Sequence, residues 1–551
     1  LSIPHHAVEV QVRRMGGGFG GKESQSGQWA CLAAIGANLT SRPVKIRLDR
    51  DDDMILTGKR HEFEASYDVG FDKSGRIEAL DLKLLGRCGH SADLSGAIVD
   101  RAMMHSDNAY FLPAVAIHSR RLRTHTVSNT AFRGFGGPQG VLSIERIMDH
   151  IANSLGLDAL AVRKVNLYGD EGRNKTPYEM EVFDNIAPEL IEQLEESASY
   201  QDRRKEIAEF NSDNTYLKKG LSLTPVKFGI SFTATHMNQA GALVNVYGDG
   251  SIGLNHGGTE MGQGLYVKVA QVVADSFGVD LERVKITATT TAKVPNTSPT
   301  AASSGADLNG MAAKIAADEI RTRLAGFAAT LFHSTPDQVE FENGQVVVGE
   351  ESLAFEELVK KALFARVSLS STGYYKTPEI QWDVATGTGK PFFYFAYGAA
   401  VSEVTIDCLT GEYKVDRVDI LHDVGHSLNP AIDRGQIEGG FIQGMGWLTT
   451  EELKWDAKGR LRTHAPSTYK IPTATDTPDI FNVALFEGDG NKANTIYSSK
   501  AVGEPPLMLG ISVFSALTNA VAEAIGDMPK LNAPATPEAV LMALRQGSYL
   551  V

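Results

Sequence analysis

Glu504 lies in Lys500-Ala501-Val502-Gly503-Glu504-Pro505-Pro506, where two prolines stiffen the chain beside one carboxylate. A carboxylate so placed can take the proton from a metal-bound water or hydroxide that the metal has already acidified. Alone, a Glu-Pro pair reads as a solvated glutamate before a turn. It has company in four further segments: Arg14-Met15-Gly16-Gly17-Gly18-Phe19-Gly20-Gly21-Lys22-Glu23, Ala131-Phe132-Arg133-Gly134-Phe135-Gly136-Gly137-Pro138-Gln139, His256-Gly257-Gly258-Thr259-Glu260-Met261-Gly262-Gln263-Gly264 and Ser298-Pro299-Thr300-Ala301-Ala302-Ser303. Glycine lets a backbone press against a bulky ligand at angles closed to other residues. Each segment alone serves equally well as a tight turn, but the chain has 54 glycines in 551 residues, and the thirteen that fall in these short segments point to ligand approach.

The elements around them are mixed. A strand at 9–12 leads into the first loop, followed by a helical pattern over 24–37 and an alternating, half-buried strand at 44–48. Alternation returns at 63–69 and 77–85. Val141, Leu142, Ile144, Ile147, Met148, Ile151 and Leu155 share one face of a helix that Gly156 ends. The polar stretch 200–219 marks a boundary between a first domain, 1–205, and a second, 206–551. In the second, strands are expected at 242–247, 284–289, 400–406 and 413–421, with helices at 303–331, 436–448 and 509–525. Gly439, Gly440, Gly444 and Gly446 favour close helix packing over a ligand role, and no repeat of solenoid period is present.

Composition excludes several classes. A net charge of −14 disfavours nucleic acid and anionic membranes as partners, since both require clustered Lys and Arg. Cys31, Cys88 and Cys408 are too few and too far apart for a disulfide framework, a zinc site or an iron–sulfur cluster, and a cytoplasmic protein is expected. The most apolar run, 511–525, carries Asn519 and Glu523 and reads as a packed helix, so no membrane span is expected. Leu1 is followed almost at once by a strand and the first loop, so the chain is expected to begin inside a domain.

The five segments, in this order, resemble the molybdopterin-binding large subunit of the xanthine dehydrogenase and aldehyde oxidase family across essentially the whole chain. The resemblance implies an α+β fold of two elongated, mixed molybdenum-cofactor-binding domains with the active site at their interface. It also implies a molybdenum–pyranopterin cofactor, expected in the cytosine dinucleotide form, whose metal is ligated by the cofactor's own sulfurs and by no side chain. Glu504 is then the catalytic base that deprotonates a Mo-OH group while hydride passes from substrate to a Mo=S sulfur. Phe19, Gly20, Arg133, Gln263, Ala301 and Ala302 match cofactor-binding positions, where small residues and main-chain amides suit a rigid polar tricycle. Arg133 taken alone could equally be a surface ion-pair partner. The helix that follows residues 300–305 offers its N-terminus to an anion.

For substrate, Glu23 and Arg101 match the charged pair by which purine-oxidising members bind the heterocycle and stabilise charge developing on it. A helix-capping Glu23 and an ordinary ion-paired Arg101 are the structural alternatives. Phe135 and Phe232 match two aromatics that sandwich the ring, and Thr233 a hydroxyl that hydrogen-bonds it. Leu94, Ala234 and Met237 match an apolar funnel. The resemblance thus implies xanthine dehydrogenase chemistry, hypoxanthine and xanthine to urate; the alternatives are an aldehyde oxidase or another N-heterocycle hydroxylase, or a noncatalytic scaffold. The family's upstream domain, with a further glutamine loop, has no counterpart in this sequence. Iron–sulfur clusters and FAD are expected on partner chains or domains, making a hetero-oligomer.

Overall fold

The computed structural model describes residues 2–170, 172–294 and 296–546. A three-stranded sheet of Phe63–Phe71, Ile77–Gly89 and Val115–Arg123 pairs its first two strands antiparallel and its last two parallel. The helix Gly137–Leu155 packs against this sheet, and the apolar periodicity read from the sequence is the face it buries. Ile144, Ile147, Met148 and Ile151 are all within 1 % of full burial, each contributing about 1.5–3 kcal/mol. Gly156 ends the helix at φ 65°.

A central four-stranded sheet runs in the order Ile480–Leu485, Tyr413–His422, Tyr394–Asp407, Leu217–Ile230. The middle strand Tyr394–Asp407 is buried on both faces over most of its length, and the pleat sends neighbouring residues to different cores. Tyr397, Ala399 and Val401 join the core of the first sheet and the helix Ala187–Ser197, whereas Ala396, Ala400 and Val404 join a second core under the helix Ile511–Ile525. The apolar segment Pro505–Ile525 is long and hydrophobic enough to cross a bilayer, but it is mostly buried inside the protein.

A third core lies beneath a sheet ordered Ser370–Lys376, Gln239–Val246, Ile252–His256, Val284–Ile286, covered by the helices Leu265–Phe277 and Gly305–Leu331. Two expectations need correction. Residues 44–48 form no strand and join none of the sheets among the described residues, and Val44 and Ile46 stay exposed. The strand expected at 284–289 is two, because Val284–Ile286 pairs with Ile252–Leu254 while Thr289–Thr290 turns away to pair with Gln11–Val12. That last pairing ties the first loop to the third sheet. The helix Pro430–Thr449 comes close to residues 505–510, where a Cβ at position 444 would meet the Leu507 carbonyl at 1.9 Å.

Candidate active site

A cavity of about 970 Å³ opens where the five segments meet. Its wall receives Phe19, Gly20 and Glu23 from the first, Arg133 and Phe135 from the second, Gln263 from the third, Ala301 and Ala302 from the fourth and Glu504 from the fifth. Phe19, Phe135, Ala302 and Ser303 all stand at left-handed backbone angles, φ 51–57°, which side chains rarely adopt and which packing must enforce.

Glu504 is held at both carboxylate oxygens. The Gly134 N–H donates to Oε1 at 3.0 Å and the Ser303 hydroxyl to Oε2 at 3.0 Å, while the Glu504 N–H donates to Ser303 Oγ at 2.8 Å. Arg133 braces the same region: Nε donates to the Gly503 carbonyl at 2.5 Å, and its other nitrogens to Gln443 Oε1 and the Gln436 carbonyl, both at 3.2 Å. One buried guanidinium thus ties the second loop to the fifth and to the helix Pro430–Thr449. Burial pushes its pKa down to about 10, against the opposing pull of Glu504, so it stays cationic. Gly134 admits no side chain, since a Cβ would lie 2.4 Å from Pro138 Cγ and the backbone sits at φ 96°.

Glu23 lines the cavity and is exposed there to water, although protein encloses it on most sides. Desolvation, then Glu504, then Asp93 raise its pKa to about 7. At neutral pH a substantial fraction of Glu23 is therefore protonated and able to donate a hydrogen bond. Gln263 donates to the Thr259 carbonyl at 2.9 Å and accepts from the Met261 N–H at 2.7 Å, which fixes its amide at the rim of the third loop.

Three substrate residues expected from the resemblance are not brought onto this wall. The Arg101 guanidinium donates instead to the carbonyls of Gly229 (2.5 Å) and Ser231 (3.0 Å) and lies between the rings of Phe228 and Phe392, at 4.7 and 5.1 Å. Burial lowers its pKa, and the charge of Glu504 counters that shift. Phe232 and Thr233 belong to a loop that Asn238 closes on itself, taking the Phe232 N–H at 2.8 Å and donating to its carbonyl at 2.9 Å. Leu94, Ala234 and Met237 also lie off the wall.

Sequence reasoning missed the two groups that hold Glu504. Ser303 lay within a segment already singled out, but its hydroxyl is 201 positions from its partner in the chain. The Gly134 N–H is a backbone group with no signature beyond the glycine itself. Lys268, Asp307 and Asp433 also line the cavity, with Lys268 paired to Asp433 and burial raising the Asp307 pKa to about 7.

The wall suits a large rigid ligand. Gly16, Gly262, Gly435 and Gly439 line the cavity, and a Cβ at any of them would meet nothing within 4 Å, so these positions leave open room. Phe19, Gly20, Arg133, Gln263, Ala301 and Ala302, the residues expected to hold a molybdenum–pyranopterin, all lie on this wall, although the Arg133 nitrogens already donate to Gly503, Gln443 and Gln436. Among the described residues no group of three or more His, Cys, Asp or Glu is placed to hold a metal ion.

Profiles described as molybdopterin cofactor-binding domain match residues 1–167 and 193–478. The chain belongs to the xanthine dehydrogenase and aldehyde oxidase family, as its molybdopterin-binding portion. It is 46% identical over 548 residues to the xanthine dehydrogenase/oxidase of Felis catus, covering 98% of this chain and 40% of that protein. The corresponding protein of Gallus gallus is 45% identical over 545 residues, covering 98% of this chain and 38% of its own length. The chain thus spans about two fifths of the length of these relatives. Among solved structures, quinoline 2-oxidoreductase from Pseudomonas putida 86 superposes with a TM-score of 0.88 at 26% identity, covering 99% of this chain and 70% of that one. The family fold is α+β with two molybdopterin-binding domains, and all five predicted segments converge on one cavity within it.

Proposed function

We propose that this chain supplies the molybdenum site of a xanthine dehydrogenase, which hydroxylates hypoxanthine and xanthine to urate with oxygen drawn from water. The observation that carries the reading is the pairing of two carboxyls across one cavity, Glu504 anchored at both oxygens and Glu23 electrostatically coupled to it. Likeness to xanthine dehydrogenases at about 45% identity supports it. When bound, the molybdenum–pyranopterin supplies an acidifying, redox-active centre that takes up two electrons.

The chain's own residues do the rest. Glu504 receives a proton on the cavity side, and each of its oxygens keeps a lone pair beyond the bond it already accepts. Glu23, in its protonated form, donates to an acceptor atom of the heterocycle and orients it. Phe135 presents an aromatic face to the ring. The electrons leave through iron–sulfur and flavin modules on partner chains or domains, in a hetero-oligomer.

Replacing Glu23 with Ala in the complete enzyme should collapse purine turnover and spare small aldehydes; equal loss on both substrates would count against the assignment. A second reading, an aldehyde or another N-heterocycle as substrate, draws on one observation. Arg101 is engaged by the Gly229 and Ser231 carbonyls and lies off the cavity wall. If that reading holds, Arg101→Ala leaves the preference between purine and aldehyde unchanged.

A further inference from the structure

The peptide unit between Arg133 and Gly134 is gripped at both ends. Its N–H donates to Glu504 Oε1 at 3.0 Å, and its C=O accepts from both terminal nitrogens of Arg60, each at 3.1 Å. Arg60 is itself clamped, its guanidinium 4.9 Å from the centre of the Phe132 ring and 5.0 Å from that of Trp447. The neighbouring backbone is stitched to the same loop. Lys59 accepts from the Thr130 N–H at 3.0 Å, and the His61 carbonyl from Gln139 Nε2 at 2.9 Å.

We infer that Arg60 is a positioning residue for Glu504, acting through this one peptide plane: the guanidinium fixes the plane's tilt and polarises it, so that the Gly134 N–H is a stronger and better aimed donor to the carboxylate. The inference rests on the reading of Glu504 as the base. A hydrogen bond at a carbonyl strengthens the donor at the other end of the same amide, and a charged donor does so more than a neutral one. A forked cation is the side chain that can hold a carbonyl with two bonds and stack between two rings at once. Burial lowers the Arg60 pKa to about 10, offset by Glu451, Tyr469 and Glu504 and reinforced by Arg133, so the charge persists at neutral pH. No local motif marks Arg60 in the sequence, and it is 73 positions from the residue it grips.

The test is Arg60→Gln and Arg60→Lys in the assembled, molybdenum-replete enzyme, with Glu504→Gln alongside. Gln keeps a neutral donor and Lys keeps the charge without the fork. With metal and pterin content equal to wild type, R60Q should lower kcat by roughly 10- to 100-fold with little change in KM, the scale of loss seen when an outer-layer partner is removed. Removing the cation should also move the acid limb of the pH–rate profile to higher pH, and R60K should recover part of both effects. A molybdenum-replete R60Q with wild-type kcat and an unmoved acid limb overturns the inference, as does a loss that tracks metal content alone. Should R60Q fail to fold, Trp447→Leu removes one ring from the clamp and leaves both hydrogen bonds in reach. It should shift the limb in the same direction by less, and an unmoved limb there is equally fatal. Activity retained in E504Q would instead defeat the underlying reading of Glu504.

Discussion

Phe19 and Phe135 each stand among glycines at nearly the same left-handed angle, φ 52° and 51°, and each loop is followed by a helix. What holds the two loops is different. The loop around Phe135 is pinned by Arg133, by Arg60 and by the helix Gly137–Leu155, whose residues are mostly buried. The loop around Phe19 leads into Gln25–Thr40, a helix with no buried residue, and Phe19 itself is 48% exposed. The first loop is attached chiefly through the strand pair Gln11–Val12 with Thr289–Thr290, a Met15 N–H donated to the Glu260 carbonyl and the stacking of Phe19 on Phe132. The same local grammar thus makes a cavity wall in both places, but only the second loop is rigid by virtue of the core behind it.

That contrast can be broken first where the anchoring is deepest. Arg163 is fully buried between Glu145 and Asp149, and Glu145 also accepts from Tyr110 and Asn108, so the helix beneath the second loop depends on this charge cluster. Arg163→Met strands two buried carboxylates and should cost about 3–5 kcal/mol in a denaturant titration. Next is the loop itself. A Cβ at position 136 would lie 1.9 Å from the Ile98 carbonyl on a backbone at φ 96°, so Gly136→Ala should cost about 3 kcal/mol. At position 16 nothing lies within 4 Å, and Gly16→Ala should stay within about 0.5 kcal/mol of wild type. Equal costs at the two glycines would erase the distinction.

The smallest effect concerns pH. The Glu23 carboxyl has a pKa near 7 in the folded protein against 4.5 for an unperturbed glutamate. The folded state therefore holds its proton more tightly than the unfolded chain does. That contribution to stability is whole below about pH 4.5 and is lost as pH rises through 7. Glu23→Gln should gain stability relative to wild type across this window, measured as the difference in melting temperature at several pH values. Because Glu23 is accessible to water in the cavity, the gain should be modest.

How far the sequence could be read follows the same divide. The helix beneath the second loop was legible because its apolar spacing is a property of consecutive residues, and the first three segments were legible because each packs three to five glycines into ten residues or fewer, while the last two were picked out by their match to the family. The strand expected at 44–48 was misread because alternation describes a strand's faces and says nothing of whether a partner exists. The setting of Arg101 was hidden for a related reason: the carbonyls of Gly229 and Ser231 that take up its hydrogen bonds come from the end of a strand, and the residue just past it, more than 120 positions away. Glu504 was visible as a residue, while its two holders, a backbone amide and a distant serine, became visible only in three dimensions.

The most direct test of the central claim is Glu504→Gln in the complete enzyme, with molybdenum and pterin measured on the same sample as purine turnover. Gln keeps the size of the side chain and an oxygen for the Gly134 N–H but cannot act as a base. With Glu504 as the base, cofactor content should be full and turnover lowered by at least about 100-fold. Turnover near the wild-type rate in the cofactor-replete variant would contradict it.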